Sequence, residues 1–244
     1  MTDTDTPKLK EADIKNYLIH NKLLLEMALG NLGRSVLTFE KVVLHNNLRT
    51  DVLVYSEYKG LIGIENKSGK DNLKRLEHQL KDYSAICRYV LVFIHESHLE
   101  NVLSLLESLN MSYVGIITYS EYSGKIIAGV NRKASINPRQ DVKLLLPTAW
   151  KIELQRMLTF NWDNPKAFLD DYKITKYKST KEILKSFREH FKGQSRVPRQ
   201  SVLVRQLIEH YGARGAEQLF CNLMISRDNS IEKPLKVYGW NDSI

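Results

Sequence analysis

Hydrophobic positions in the first part of the chain predict strands that alternate with helices. Ile14, Leu18, Leu24 and Met27 follow helical spacing up to Gly30, which predicts a first helix. The elements predicted after it are strands over 36–44, 49–55 and 61–67, a helix over 71–86 with Asp71 as N-cap, a strand over 88–94, a helix over 99–109, a strand over 113–119 and an edge strand over 125–130. Polar residues 56–60 make the second and third strands a hairpin. This alternation predicts an α/β fold with a mixed sheet covered on both faces.

Beyond residue 147 the strand signals stop and helical patterns take over. Helices are predicted over 150–158, 181–191, 201–211 and 213–224. We therefore predict two domains, an α/β domain over 1–146 and a mostly helical region over 147–244. The helices on either side of Gly212 are compatible with a helix-turn-helix, and equally with any other helical hairpin.

Composition and charge narrow the class of protein. The chain has 244 residues, of which 43% are hydrophobic and 26% charged, values that exclude disordered, collagen-like and membrane classes. The net charge of +8 favours contact with polyanions but also fits a merely soluble protein. Residues 1–146 carry 19 basic and 17 acidic side chains, whereas residues 147–244 carry 17 and 11, so the excess lies in the second region.

Cysteines and apolar segments bear on the compartment. Cys87 and Cys221 stand far apart inside apolar stretches, which predicts reduced thiols in the core of a cytoplasmic protein. The polar residues 1–10 contain no run typical of a signal peptide, and no apolar string approaches the length of a membrane span. We therefore expect no membrane partner.

Candidate chemistry lies in the predicted hairpin. Asp51 begins one strand, while Glu65 and Lys67, two residues apart, leave one face near the end of the next. Two carboxylates held by strands suit a hard divalent cation, for which Mg²⁺ is the natural candidate. A solvated cross-strand charge pair is the alternative, and Glu57-Tyr58-Lys59 shows that Glu-x-Lys also occurs in this chain by chance.

Other motifs point away from competing chemistries. His95-Glu96-Ser97-His98 lacks the spacing of the zinc helix H-E-x-x-H, so a solvated loop is favoured there. The sequence contains no glycine-rich phosphate loop, nucleophile elbow or dinucleotide fingerprint. These observations argue against kinase, serine-hydrolase and dehydrogenase functions.

The hairpin and the helix after it carry a family resemblance. The string R-T-D-V at 49–52, followed by G-x-E-x-K-S at 63–68, Asp71, Arg75-Leu76, Gln79 and Tyr83, resembles the PD-(D/E)XK nuclease superfamily. It is most similar to a group of bacterial and phage members, and Gln79-x-x-x-Tyr83 is similar to the motif of the RecB-like branch. The resemblance covers about residues 11–120, with Thr50 in place of the proline before Asp51. It implies a restriction-endonuclease-like αβββαβ core.

The resemblance also implies roles for the hairpin residues. Asp51 and Glu65 would ligate the metal, with the main-chain carbonyl of Asn66 as a further ligand, and Lys67 would be the catalytic lysine. Glu11 matches an acidic residue that many members bring to the metal from the first helix. Its alternative is an exposed acid at a helix start, favoured by the helix dipole.

Substrate contacts are expected in two places. By analogy Gln79 and Tyr83, which share one helix face, would position substrate or support the site, the alternative being a core tyrosine and a boundary glutamine. Ser68 and Arg75 could contact phosphate, with an ordinary surface role as the alternative for Arg75. The basic run over 173–205 holds ten cations against Glu182 and Glu189, and it could follow a phosphate backbone or form a solvated helix face. Its candidate substrate-binding residues are Lys181, Lys185 and Arg188.

The leading hypothesis is a deoxyribonuclease that uses Mg²⁺, or Mn²⁺ in its place, to activate water against a phosphodiester in DNA. One alternative is a catalytically silent protein of this fold that binds nucleic acid or regulates. Another is a phage or defence interaction module whose second region binds a protein. A homodimer is compatible with the sequence.

Overall fold

The computed structural model describes residues 11–40, 42–43, 48–149, 151–159, 199–225 and 238–239. Its strands are β1 (Ser35–Phe39), β2 (Val42–Val43), β3 (Leu48–Arg49), β4 (Val52–Ser56), β5 (Gly60–Lys67), β6 (Tyr89–His95), β7 (Gly115–Tyr122), β8 (Lys125–Arg132) and β9 (Tyr238–Gly239). Its α-helices are α1 (Glu11–His20), α2 (Lys22–Leu29), α3 (Leu76–Ile86), α4 (Leu99–Ser108), α5 (Val142–Leu145), α6 (Lys151–Thr159) and α7 (Gln200–Ile225). Short 3₁₀ helices cover Glu96–His98 and Leu146–Thr148.

The central sheet is mixed, as the sequence predicts. Its order is β8-β7-β6-β5-β4-β1-β9, so six longer strands are extended at one edge by a two-residue strand. Strands β4 and β5 form the predicted antiparallel hairpin, whereas β5, β6 and β7 run parallel. The predicted edge strand is β8, antiparallel to β7. The carboxyl ends of the three parallel strands therefore meet at one edge of the sheet.

Helices cover both faces because the inner strands are apolar on both. Val90 and Val92 of β6 face a core formed with α3, α4 and the C-terminal helices. Leu91 and Phe93 face a second core formed with α1 and α2. Burial on two sides explains why β6 is a continuous apolar run instead of an alternating one.

Two helix predictions differ from the structure. The predicted first helix is divided at Asn21, whose backbone leaves the helical region and whose side-chain Nδ2 donates to the Tyr17 carbonyl at 2.7 Å. Asp71 does not cap α3, which begins at Leu76. Its carboxylate instead closes a turn, accepting hydrogen bonds from the N–H and hydroxyl of Ser68.

The described part of the C-terminal region is largely helical, as predicted. Helix α7 contains a break at Gly212, where φ is 70° and ψ is 167°, so it comprises the two predicted helices. The predicted helix over 181–191 lies outside the described residues. Helices on both sides of residue 147 contribute to one hydrophobic core, and the domain boundary itself stays a prediction. None of the described helices has the length and apolar character that a membrane crossing demands.

A buried carboxylate attaches α7 to the hairpin. Glu217 is fully buried, and its Oε1 accepts hydrogen bonds from the Leu61 N–H at 3.1 Å and from Gln140 at 3.0 Å. Its Oε2 accepts from Arg214 at 2.8 Å. Gly60 permits this approach, because a Cβ there would lie 2.4 Å from Glu217. The C-terminal helix thus contacts the strand that carries Glu65 and Lys67.

Candidate active site

The antiparallel register places two carboxylates side by side. Val52 of β4 pairs with Ile64 of β5, so Asp51, just before β4, lies opposite Glu65. Alternation puts both side chains on the face covered by α3. The Asp51 carboxylate accepts a 2.9 Å hydrogen bond from the Asn66 N–H, which holds Asp51 against the end of β5.

Lys67 and Glu65 form a buried ion pair on that face. The Lys67 Nζ donates to the Glu65 Oε1 at 2.5 Å, with Glu65 fully buried and Lys67 nearly so. The other oxygen, Oε2, is buried and accepts no hydrogen bond from the described residues. Burial raises the pKa of the Glu65 carboxyl to about 7, and the nearby Asp51 charge adds to this rise, while Lys67 opposes it. The carboxyl groups of Asp51 and Glu65 and the ammonium group of Lys67 therefore meet at this point.

Helix α3 supports the pair of carboxylates. The Tyr83 hydroxyl accepts a 2.7 Å hydrogen bond from the Asp51 N–H and lies 3.3 Å from the Ile64 carbonyl, to which it donates. Burial raises the Tyr83 pKa well above its usual value, so the phenol stays neutral and can donate. Gln79, one turn earlier on the same side of α3, is half-buried, and its Oε1 accepts no hydrogen bond from the described residues.

The remaining candidates fall in different places. Ser68 directly follows Lys67, and its hydroxyl donates to Asp71 at 2.9 Å. Arg75 is exposed immediately before α3. Glu11 begins α1, and its side chain is not among the described atoms. The three candidates Lys181, Lys185 and Arg188 lie outside the described residues.

Two histidines lie against the turn that follows Lys67. They belong to the segment 95–98, for which the sequence predicts a solvated loop. The Nε2 of His98 lies 2.8 Å from the Ser68 carbonyl, and a Cβ on Gly69 would lie 3.2 Å from the ring of His95. The signal that could have found them is the parallel pairing of β5 and β6. Residues that follow neighbouring parallel strands emerge at the same edge of a sheet.

The donor set fits a hard divalent cation. Asp51 and Glu65 supply carboxylate oxygens, and the orphaned Glu65 Oε2 gains a partner if a cation is bound. No group of three or more histidine, cysteine or carboxylate side chains that could hold a metal ion occurs within the described ranges. A two-carboxylate set matches Mg²⁺, which usually keeps several waters and takes one or two protein carboxylates.

Comparison with known proteins gives one match. The model of the family described as Bacteriophage P4 protein cII matches residues 4–210, which is most of the chain. Neither the curated proteins nor the solved structures contain a significant match.

Proposed function

The chain belongs to the bacteriophage P4 cII family, and we propose that it is a metal-dependent deoxyribonuclease of the PD-(D/E)XK superfamily. The observation that carries the proposal is the assembly of Asp51, Glu65 and Lys67 on one face at the end of a hairpin. Two carboxylates can hold a metal ion that activates water, and a lysine can stabilise negative charge on a phosphodiester under attack.

The order of elements supports the same superfamily. The first helical segment precedes β1, β4 and β5, and α3 and β6 follow them. With α1 and α2 counted as one divided helix and the small β2–β3 hairpin as an insertion, this is the αβββαβ order that the resemblance implies. Fold likeness by itself does not establish an activity, so the proposal rests on the site.

Each residue has a defined part in the proposed reaction. Asp51 and Glu65 would hold Mg²⁺ or Mn²⁺, which would supply a water of lowered pKa and offset charge on a phosphate. Tyr83 fixes the backbone of Asp51 by accepting a hydrogen bond from its N–H, and Gln79 lies one turn before Tyr83 on the same helix. Lys67 restrains Glu65 and carries the positive charge that can stabilise a phosphodiester under attack.

A second candidate function is nucleic-acid binding without cleavage. It is favoured by the ion pair of Glu65 with Lys67, which gives the buried carboxylate a partner without a metal. The net charge of +8 fits this function equally well.

The experiment that separates the two is cleavage of linear, circular, single-stranded and branched DNA with and without Mg²⁺ or Mn²⁺. We expect metal-dependent products from the wild-type chain and none from Glu65→Gln, which keeps the side-chain shape but loses the charge. Glu77→Gln is the matched control, since Glu77 is exposed on α3 and, of the described residues, forms an ion pair with Lys81 alone. Binding without cleavage in every condition would replace the nuclease with the second candidate.

A further inference from the structure

Three exposed cations stand together where β5 leads into α3. Lys70, Lys74 and Arg75 are all exposed and form no ion pair with any described residue. Lys81, which follows in α3, is different because it pairs with Glu77 at 2.6 Å. Residues 70–75 thus carry three cations and one carboxylate, a net charge of +2.

The turn that carries these cations is held in place from two sides. The Asp71 carboxylate accepts from the N–H and hydroxyl of Ser68, and the Asp71 N–H donates to the Ser68 carbonyl at 3.0 Å. That same carbonyl lies 2.8 Å from Nε2 of His98. Asp71 is the single carboxylate between Lys67 and Arg75, and these hydrogen bonds turn it toward Ser68. Because these hydrogen bonds hold the backbone, DNA binding would have to order only the side chains of the cations, which saves the backbone part of the entropic cost.

The cations lie at the same edge of the sheet as the candidate active site. Helix α3 connects the parallel strands β5 and β6, so it begins at the edge where β5 ends with Glu65 and Lys67. The exposed cations therefore lie at the sheet edge that carries the carboxylates.

We propose that Lys70, Lys74 and Arg75 form a cationic platform that binds the sugar-phosphate backbone of DNA beside the candidate active site. The proposal rests on the proposed function for its choice of partner. We assign the platform to phosphates that flank the cleaved bond, since the three cations lie in the segment that follows Lys67. When lysine and arginine side chains bind phosphates, counterions condensed on the DNA are released, and this release favours binding.

The test measures binding to a fluorescein-labelled DNA duplex over a range of salt concentrations, with EDTA present so that cleavage does not interfere. The platform variant carries Lys70→Gln, Lys74→Gln and Arg75→Gln. The matched control carries Lys133→Gln, Lys143→Gln and Lys151→Gln, three exposed cations elsewhere in the chain. We expect the platform variant to reduce the slope of log Kd against log salt by about 1 for each lost contact, while the control keeps the wild-type slope.

Equal slopes for the wild type and the platform variant would overturn the platform, as would equal losses in both variants or no DNA binding by the wild type. Circular dichroism confirms that each variant is folded. Cleavage is measured separately with Mg²⁺, so the two proposals can fail independently. A platform effect without cleavage would refute only the nuclease, and cleavage with unchanged salt slopes would refute only the platform.

Discussion

The hydroxyl of Tyr83 accepts a 2.7 Å hydrogen bond from the backbone N–H of Asp51, 32 positions earlier in the chain. A helix thereby fixes the backbone that carries one of the two candidate metal ligands. The bond fixes the start of β4 through the backbone, while the Asp51 carboxylate accepts from the Asn66 N–H.

We expect Tyr83→Phe to lower the free energy of unfolding by about 1–2 kcal/mol, since the Asp51 N–H loses its partner in a half-buried position. We also expect weaker Mn²⁺ binding, because Asp51 is less well held. Urea unfolding and calorimetric titration with Mn²⁺ measure the two effects. Tyr113→Phe is the control, since its hydroxyl donates to Ser84 at 2.8 Å in the core. If both variants bind Mn²⁺ alike, Tyr83 does not position the site.

The Glu65 carboxyl predicts a pH-dependent stability for the metal-free protein. Its pKa in the folded chain is about 7, above its ordinary value of 4.5, so the folded state binds the proton more tightly than the unfolded state. Its stabilising contribution is complete below pH 4.5 and is lost as the pH rises through about 7, a change on the order of 3 kcal/mol. We expect Glu65→Gln to abolish this fall in stability in urea unfolding. A fall that persists in the variant would assign it to another group.

Metal binding should become stronger as the pH rises and the Glu65 carboxyl loses its proton. A carboxylate must be deprotonated to bind a cation, so we expect the rise in melting temperature caused by Mg²⁺ or Mn²⁺ to increase between pH 5.5 and pH 8. Thermal unfolding with and without metal measures this rise. A shift that is the same at both pH values would exclude Glu65 as a ligand.

Close packing at Gly63 predicts a large effect from a single methyl group. A Cβ at this position in β5 would lie 2.2 Å from the Tyr83 ring and 2.8 Å from the Cys87 sulfur. We expect Gly63→Ala to destabilise the fold by about 1–3 kcal/mol. Gly129→Ala on β8 is the control, because no atom lies within 4 Å of its Cβ, and its unfolding midpoint should stay equal or rise. Equal midpoints for the two variants would contradict this packing.

Glu217 predicts that the C-terminal helix contributes to the stability of the hairpin. Glu217→Ala removes an acceptor from the Leu61 N–H, Gln140 and Arg214, so we expect a loss of about 2–4 kcal/mol in urea unfolding. Glu209→Ala on the same helix is the control, since Glu209 is exposed and its one ion pair among the described residues is a long contact with Arg205, and should change stability by less than about 0.5 kcal/mol. A small effect at Glu217 would show that other contacts, such as the hydrogen bonds of Arg214 and Gln218 to the turn of the hairpin, hold α7.

The pattern of hydrophobic and polar side chains was sufficient to predict elements whose formation depends on residues close together in the sequence. The apolar run of β6, the hairpin of β4 and β5 and the two helices around Gly212 follow from hydrophobic spacing and turn residues, and all occur in the structure. Asn21 shows the limit of such reasoning. Helical spacing continues through it, but its side chain competes for the Tyr17 carbonyl and divides the helix.

The same division applies to the candidate site. The sequence by itself determined that Glu65 and Lys67 share a face and that Asp51 lies near them at one edge of a hairpin, because strand alternation and the turn set that geometry. The register that puts Asp51 opposite Glu65 came from the pairing of β4 with β5. Only the tertiary structure decided that Glu65 is buried with a pKa of about 7, that Tyr83 holds Asp51 and that Glu217 reaches Leu61 across 156 positions. Burial and long-range hydrogen bonds depend on which distant segments pack together, and the local spacing of residues does not specify that packing.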